Sequence, residues 1–444
     1  FIGKTLPALE FLEGYLTTTN ILLTLFLALY ILYYRTFHHY RFEQKSAFTK
    51  GRRFIGKTLP AFPNGWFCVA RSGEIKKGEA KHIDMHGQNI AVFRGTDGII
   101  YAIDAYCSHM GANLAEGGKV KFGKGLQCPF HGWVFDGETG NCVTGADMKQ
   151  READKFTYSE KATEGLKKEC KTKIGVKKWQ VKELGGFIFV WYHSIEELRT
   201  APPPFEPLDI TPFMEKLSYR GVSINKVQSH VQDIPENGGD LMHFYYVHNA
   251  FLPFTDLFKA RWRAKWTKGD DPKLREIMKH EVPLIDQFKT QLMDRFLTEE
   301  NAKYIGVLSL DSYMILPGCS EIFFFNATAF QVGSGLVYLF LKSQFFEAVL
   351  FQHLSPLEKY KHEVFHDMWA SSYLPYCITA LMLRLEAQQV MNDGRVWDNK
   401  QFAMSTYYDL REEPDRMLLN WRSWYAQFYE GCKEAEEERE KLSW

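Results

Sequence analysis

Cys107-Ser-His109 and, after 18 intervening residues, Cys128-Pro-Phe-His131 are the two motifs that decide how this 444-residue chain is organised. Thiolates and imidazoles bind zinc and iron in proteins. Structural zinc sites usually have paired ligands separated by two to four residues, and the single residue between Cys107 and His109 is too short for that spacing. We therefore favour an iron–sulfur site, with zinc or unliganded side chains as the alternatives.

Two Cys and two His in this order predict a Rieske [2Fe–2S] cluster, in which two thiolates hold one iron and two imidazoles hold the other. Gly111, Pro129 and Gly132 flank the four residues. Such residues form tight loops whose backbone N–H groups can point at the cluster sulfurs. Cys142 follows in a glycine-rich turn, and we interpret it as a buried or free thiol, not a ligand.

The composition is that of an ordinary globular protein, with 45% hydrophobic and 24% charged residues. The 54 basic and 54 acidic residues cancel, so no overall field favours nucleic acid as a partner. Eight cysteines, two of them assigned to the cluster, do not suggest a disulfide framework. The high aromatic share of 15% could line an apolar substrate cavity, but we favour aromatic residues that fill cores.

An uncharged, apolar run of 20 residues extends from Tyr15 to Tyr34, long enough as a helix to span a bilayer core of about 30 Å. Basic residues follow it, which places the rest of the chain in the cytoplasm and the amino terminus on the lumenal or outer side. The alternatives are a cleaved signal peptide and a buried core helix. The basic residues are Arg35, His38, His39, Arg41, Lys45, Lys50, Arg52 and Arg53.

From Asn64 onward the chain shows short apolar runs broken by glycine, which predict strands and turns, the last at Gly186–Tyr192. The proline-rich segment Pro202–Pro204 suggests a domain boundary, beyond which helical and strand patterns mix. We therefore predict a lumenal tail at 1–14, a transmembrane helix at 15–35, a linker at 36–63, an all-β Rieske domain at 64–195, a catalytic domain at 196–432 and a charged tail at 433–444.

A second candidate metal site is Asp240-x-x-His243-x-x-x-x-His248. Two neutral imidazoles and one carboxylate form the facial triad of non-haem Fe(II), which leaves positions open for O₂ and substrate. On an ideal helix His243 and His248 point about 140° apart, so both can face one metal only where the helix is unwound or bulged. His362 and His366 also have helical spacing, but we assign them surface or packing roles.

A Rieske motif followed by this Asp–His–His pattern resembles the Rieske non-haem iron oxygenases. The resemblance implies that Asp240 bridges the two metal sites and that His243 and His248 bind iron. It also implies a later Asp ligand, and Asp393 matches, because Asp393-x-x-x-Trp-x-x-Lys resembles steroid-hydroxylating members. Asp398 is a nearby competitor for that role, and Glu386 is another.

The loops differ from those of respiratory-type Rieske proteins, which resemble them but carry an extra Cys in each loop. Ala112 and Phe130 occupy those places here, so the bracing disulfide cannot form. The loops are similar instead to those of Neverland-type cholesterol 7-desaturases of animals. Three stretches carry that similarity: AYCSHMGANLAEGGKV, CPFHGWVFDGETGNC and WRSWYAQFYEG.

The resemblance implies an α+β helix-grip (START-like) catalytic domain after the Rieske domain. It implies oxidation of cholesterol at C7–C8 to 7-dehydrocholesterol, an early step of steroid hormone synthesis, with O₂ and a mononuclear Fe(II). NAD(P)H electrons come through a separate reductase, because the chain has no flavin or dinucleotide fingerprint. The family also implies a homotrimer, in which electrons pass from His131 of one subunit through Asp240 to His243 of the next, and an endoplasmic reticulum membrane.

Two other functions are open at this point. The chain could be a Rieske monooxygenase that hydroxylates another steroid or hydrophobic substrate, such as a pigment. From a different class, it could be a membrane-tethered electron-transfer protein whose second domain is structural. Three irons per chain indicate an oxygenase, whereas two indicate an electron carrier.

Overall fold

The computed structural model describes residues 24–25, 40–44, 59–144, 174–248, 259–315, 321–401 and 408–432. The predicted transmembrane helix at 15–35 lies outside these ranges, except for Thr24 and Leu25, which are helical. The charged tail at 433–444 also lies outside them. Within the described ranges, no helix has the length and apolar character needed to cross a membrane.

Strands dominate the described part of the chain. The strands are β1 Tyr40–Gln44, β2 Gly65–Arg71, β3 Ala80–Met85, β4 Gln88–Arg94, β5 Ile100–Asp104, β6 Lys119–Lys121, β7 Gly125–Gln127, β8 Val134–Asp136, β9 Cys142–Thr144, β10 Val181–Leu184, β11 Phe187–Tyr192, β12 Ser218–Val227, β13 Lys259–Lys268, β14 Ile305–Ile315, β15 Ile322–Val332, β16 Leu336–Lys342, β17 Glu347–Glu358 and β18 Lys361–Ala370. The helices are α1 Thr211–Met214, α2 Asp233–Glu236, α3 Leu241–Tyr246, α4 Leu274–Ile277, α5 Pro283–Phe296, α6 Tyr376–Trp397 and α7 Glu413–Tyr425.

The amino-terminal domain consists of three small antiparallel sheets, with strand orders β10–β11–β2, β3–β4–β5 and β6–β7–β8–β9. The strand predicted at Gly186–Tyr192 is β11, and all six of its side chains are buried. Because strand side chains alternate between faces, Ile188 and Val190 pack into the core of this domain. Phe187 and Phe189 point the other way, into the core of the carboxy-terminal domain.

The carboxy-terminal domain is built on one eight-stranded sheet with the order β1–β12–β18–β17–β16–β15–β14–β13. The long helix α6 lies on it and contacts β12. Buried side chains recur at helical spacing along α6, and Val390 and Trp397 pack with Val227 of β12. An all-β domain followed by an α+β domain is therefore confirmed.

An ion pair between the partly buried Arg71 and the fully buried Asp367 joins the two domains. Arg71 of β2 donates to Asp367 Oδ1 of β18 through Nε at 3.1 Å and through Nη2 at 2.7 Å. Tyr219 Oη donates to the same oxygen at 2.9 Å, and His353 Nε2 lies 3.3 Å from Oδ2. Burial alone would raise the pKa of Asp367, but the hydrogen bond from His353 and the charge of Arg71 outweigh it and lower the pKa.

Asn64, at the start of the predicted Rieske domain, forms hydrogen bonds with three other segments of the chain. Its backbone N–H donates to Phe428 O at 2.7 Å, and its carbonyl accepts from Ser334 Oγ at 2.9 Å. The side-chain oxygen accepts from the Ser194 backbone N–H at 2.7 Å. The predicted boundary near residue 195 is thus a packed contact between domains.

The structure changes our interpretation of the predicted linker at 36–63. Residues 40–44 of that segment form β1, an edge strand that pairs in parallel with β12, with Tyr40 opposite Gly221. Glu43 on β1 forms an ion pair with Lys226 on β12 at 2.8 Å. We missed this strand because parallel pairing between distant segments leaves no local sequence signal.

Candidate functional site

The two cluster motifs lie on matching loops. In each loop a glycine four residues after the Cys donates its backbone N–H to the Cys carbonyl, from Gly111 to Cys107 at 2.9 Å and from Gly132 to Cys128 at 3.2 Å. Both glycines have positive φ values, 71° and 76°, which favour glycine in these turns. The backbone conformation of the two loops therefore explains the glycines at positions 111 and 132.

The four predicted cluster residues come together with the thiols inside and the imidazoles outside. Cys107 and Cys128 are buried, whereas His109 and His131 are exposed, with ring centroids 4.7 Å apart. Burial, and then the neighbouring Cys128 thiol, raise the pKa of Cys107. Two adjacent buried thiols need a cation to hold them as thiolates, so the residues fit an iron–sulfur cluster.

The second predicted site is also assembled. One ligand atom from each of His243, His248 and Asp393 lies within 4.8 Å of the other two. His248 Nε2 and Asp393 Oδ1 are 3.2 Å apart, and the two imidazole centroids are 4.9 Å apart. Two imidazoles and one carboxylate at this separation could hold one metal ion and leave further positions open.

Each of these three side chains has a hydrogen-bond partner that orients it. His243 Nδ1 lies 2.5 Å from the Asp240 carbonyl oxygen, and His248 Nδ1 lies 2.5 Å from Gln389 Oε1. Both imidazoles therefore keep Nε2 available for a metal, as metal-binding histidines usually do. Asn237 Nδ2 donates to Asp393 Oδ2 at 2.9 Å, which leaves Oδ1 directed at His248.

The helix that carries His243 ends before His248, which agrees with the expectation that the helix is unwound between the two histidines. Helix α3 ends at Tyr246, and His248 lies in the turn after it. Asp240 is the N-cap of α3. Its Oδ1 accepts from the backbone N–H groups of Met242 at 3.0 Å and His243 at 3.2 Å.

The competing acids have other partners. Asp398 Oδ1 accepts from the Gln228 backbone N–H at 2.7 Å, and Glu386 contacts Ser223 and His366. We did not foresee Gln389, although it lies one helical turn before Asp393, on the same helix face. Spacing alone could have suggested it.

The histidines that we assigned to surface or packing roles lie on β18, not on a helix, and both are buried. His362 Nε2 contacts the Ser229 carbonyl oxygen at 2.8 Å, and burial lowers its pKa to about 3. A surface role is therefore wrong for both residues. His362 has a packing role, whereas His366 borders the cavity described next.

A cavity of about 200 Å³ lies between α6 and the sheet, and His243, His248 and Asp393 form part of its wall. Most of the remaining wall is apolar, with aliphatic side chains from the sheet and indole rings from β13 and α6. Examples are Leu308, Leu310, Ala329, Leu339, Trp262 and Trp397. Burial lowers the pKa of His243, although the charge of Asp393 opposes this, so the imidazole is neutral, as a metal ligand must be.

Comparison with known proteins agrees with this architecture. The Rieske [2Fe-2S] domain family matches residues 65–164, and the 3-ketosteroid 9alpha-hydroxylase C-terminal domain matches residues 190–429. The cholesterol 7-desaturase nvd 1 of Ciona intestinalis is 32% identical over 85% of this chain and 71% of its own length. The cholesterol 7-desaturase nvd of Bombyx mori is 32% identical over 85% and 72%.

Solved structures share the fold at low sequence identity. Dicamba monooxygenase bound to dicamba has a TM-score of 0.51 at 16% identity, over 84% of this chain and 98% of its own. NdmB of Pseudomonas putida has a TM-score of 0.52 at 15% identity, over 85% and 97%. These likenesses concern the fold alone.

Fold, cluster loops and second site together define a Rieske non-haem iron oxygenase. Within that class, the chain belongs to the Neverland-type cholesterol 7-desaturase family. It is an oxidoreductase that uses a Rieske [2Fe–2S] cluster, a mononuclear iron, O₂ and electrons that a separate reductase supplies.

The hydrogen bond between His248 and Gln389 predicts a loss of metal affinity when it is removed. Gln389→Leu keeps the side-chain size but removes the acceptor that orients His248, so affinity for the mononuclear iron should fall about 10- to 100-fold. Iron content after dialysis against a chelator measures this. Gln388→Leu, on the same helix but bonded to Asn392, is the control. Unchanged iron retention in Gln389→Leu would contradict the orienting role.

Proposed function

We propose that this oxygenase removes the two hydrogens at C7 and C8 of cholesterol and forms 7-dehydrocholesterol, for steroid hormone synthesis. The observation that carries the proposal is the site of His243, His248 and Asp393, which opens onto an apolar cavity in a member of this family. The reaction balances as sterol, O₂, NAD(P)H and one proton giving the diene, two waters and NAD(P)⁺.

In this proposal seven residues are metal ligands. Cys107 and Cys128 hold one iron of the cluster and His109 and His131 the other, whereas the mononuclear iron is held by His243, His248 and Asp393. When bound there, that iron supplies open coordination positions for O₂ and the oxidising power that an unactivated C–H bond requires.

The protein itself orients the three side chains of the metal site and excludes water from the cavity. Asp240, Gln389 and Asn237 hold the three ligand side chains at fixed angles through the hydrogen bonds given above. Apolar walls such as Leu308 and Leu339 exclude water and accept a rigid, apolar ring system. A cavity of this kind suits a sterol better than a charged or strongly polar substrate.

We further propose that electrons cross between subunits of a homotrimer, from the His131 edge of one chain to the Asp240 edge of another. Both edges are exposed and carry apolar side chains that an interface would cover. Beside the cluster these are Tyr106, Met110 and Phe130, and beside Asp240 they are Met242 and Tyr246.

Membrane anchoring through residues 15–35, with the catalytic domains in the cytoplasm at the endoplasmic reticulum, is part of the proposal. Strand β1 begins only five residues after that segment and enters the sheet at the start of β12. The start of β12 pairs with the end of β18, at Ser218 opposite Ala370. At this same end of the sheet Phe345 and Tyr373 are 74% and 69% exposed, which suits a surface that faces lipid.

The runner-up function is hydroxylation of another steroid. It is favoured by the match to the 3-ketosteroid 9alpha-hydroxylase C-terminal domain. A relative named probable 3-ketosteroid-9-alpha-monooxygenase, oxygenase component, of Rhodococcus rhodochrous also favours it and is 28% identical over 44% of this chain and 43% of its own length. An electron-transfer protein is disfavoured, because it has no use for a second metal site in an apolar cavity.

The product of cholesterol tests the proposed function. With a reductase, NAD(P)H and O₂, the full chain should give a product that is lighter by two hydrogens and absorbs as a conjugated diene. His243→Ala should abolish turnover while the Rieske absorption spectrum stays intact. A product that has gained an oxygen atom would favour the runner-up, and loss of the Rieske spectrum in His243→Ala would contradict our assignment of that residue.

Subunit mixing tests the path of the electrons. Cys107→Ser lacks the cluster and His243→Ala lacks the mononuclear iron, so each variant alone should be inactive. Co-expressed, they should regain activity, because mixed trimers place an intact cluster next to an intact iron site on another subunit. Co-expression of Cys107→Ser with Cys128→Ser is the inactive control. Mixed trimers without activity would indicate transfer within one chain.

Charges placed in the apolar run test the anchor. Leu25→Arg with Leu29→Arg should release the full chain from membranes during an alkaline carbonate wash, because each central Arg disfavours insertion by about 2.5–3.5 kcal/mol. Leu25→Ile with Leu29→Ile is the matched control and should remain in the membrane pellet. If both variants pellet equally, residues 15–35 are not the anchor.

A further inference from the structure

Three polar side chains that contact one another border the cavity apart from the metal site. Glu386 comes from α6, His366 from β18 and Gln352 from β17. His366 Nε2 lies 3.2 Å from Glu386 Oε1 and 3.0 Å from Gln352 Oε1. Ser223 Oγ donates to Glu386 Oε2 at 3.1 Å. We call Glu386, His366 and Gln352 the polar cluster.

The polar cluster has a fixed position relative to the metal site. Glu386 lies seven residues before Asp393 on α6, so the two carboxylates project from nearly the same face, about 10 Å apart along the helix axis. That separation is too long for direct contact with a metal at Asp393. It leaves room for one end of a substrate whose other part lies at the metal.

The accessible part of Glu386 faces the cavity. Its side chain keeps 22% of its surface accessible, and because Glu386 borders the cavity while packing against Ser223 and His366, we assign that surface to the cavity instead of bulk solvent. Each oxygen of this carboxyl group already has one partner, His366 at Oε1 and Ser223 at Oε2, and each can take part in a second hydrogen bond with a group in the cavity.

The polar cluster is electrically neutral near pH 7. Burial raises the pKa of Glu386 to about 8; the hydrogen bond from Ser223 opposes the shift and the negative charge of Asp393 adds to it. Burial lowers the pKa of His366 to about 3, so its imidazole is uncharged. A neutral carboxylic acid, an imidazole and an amide offer both donors and acceptors but no net charge.

We propose that the polar cluster is the recognition site for the hydroxyl group of the sterol substrate. A hydroxyl both donates and accepts, carries no charge and sits at one end of an otherwise apolar molecule, which matches the cluster in its apolar cavity. In cholesterol the hydroxyl lies on the ring next to the one that contains C7 and C8, so it can reach Glu386 while those carbons lie near Asp393. This inference rests on the proposed function, and it makes Glu386 a specificity-determining residue.

Binding of two sterols tests the proposal without turnover. Cholesterol and cholest-5-ene, which lacks the hydroxyl, are delivered from cyclodextrin to the full chain, and binding is followed by the fluorescence of tryptophans in the cavity wall such as Trp262 and Trp397. A site built for a hydroxyl should bind cholesterol about 10- to 100-fold more tightly, because cholest-5-ene leaves the polar cluster without that partner. Glu386→Leu should reduce the preference to a few-fold, whereas Glu386→Gln, which keeps a donor and an acceptor, should retain most of it.

The outcomes separate the two proposals. If both sterols bind the unaltered chain equally well, the polar cluster does not recognise the hydroxyl, although the proposed function stands. If Glu386→Leu weakens both sterols equally, the role of Glu386 is structural and the inference is overturned. If neither sterol binds, the proposed function fails together with the inference. Gln388→Leu, on α6 but outside the cavity wall, is the control and should keep the full preference.

Discussion

The contact between His248 Nε2 and Asp393 Oδ1 joins two distant parts of the chain at 3.2 Å, and the rest of the catalytic domain serves to maintain it. His248 lies in the turn after a short helix, whereas Asp393 lies in the last turns of α6. Neither segment could hold its side chain in place alone. The sheet fixes α6 through buried contacts such as Val390 against Val227, and Gln389 then links α6 directly to His248.

The same logic extends to the arrangement of the two domains. Phe187 and Phe189 of the Rieske domain belong to the core of the catalytic domain, and the Arg71–Asp367 ion pair lies at that boundary. Loss of Arg71 would leave the buried Asp367 carboxylate without its compensating charge, so the pair resists separation of the domains. The exposed edge of the cluster loops is therefore presented in one orientation, which is what contact between subunits would require.

How much the sequence predicts depends on whether the signal is local. That Cys107, His109, Cys128 and His131 lie close together could be predicted from their spacing, because tight loops fix the directions of such side chains. Asp393 needed a family resemblance, since its approach to His248 is a property of the folded sheet and helix. Strand β1 and the inter-domain ion pair left no local pattern at all. A position beside the cavity is also a property of the folded chain, so the sequence could not distinguish the role of His366 from that of His362. Of these two residues, His366 borders the cavity.

Aromatic residues show why composition predicts less than position. We expected their high share to fill cores, and the largest core cluster does contain many, including Trp421 and Tyr425. Trp262 and Trp397 nevertheless border the cavity, so the same residue type contributes both to the core and to the cavity wall.

The few polar side chains in its apolar wall are therefore what distinguishes the cavity from the core. In an apolar enclosure each polar side chain must be completed by a metal, a neighbour or a ligand. The three metal-site residues face one another, whereas the polar cluster at Glu386 keeps an accessible surface beside the cavity and can bind a polar group of a ligand there.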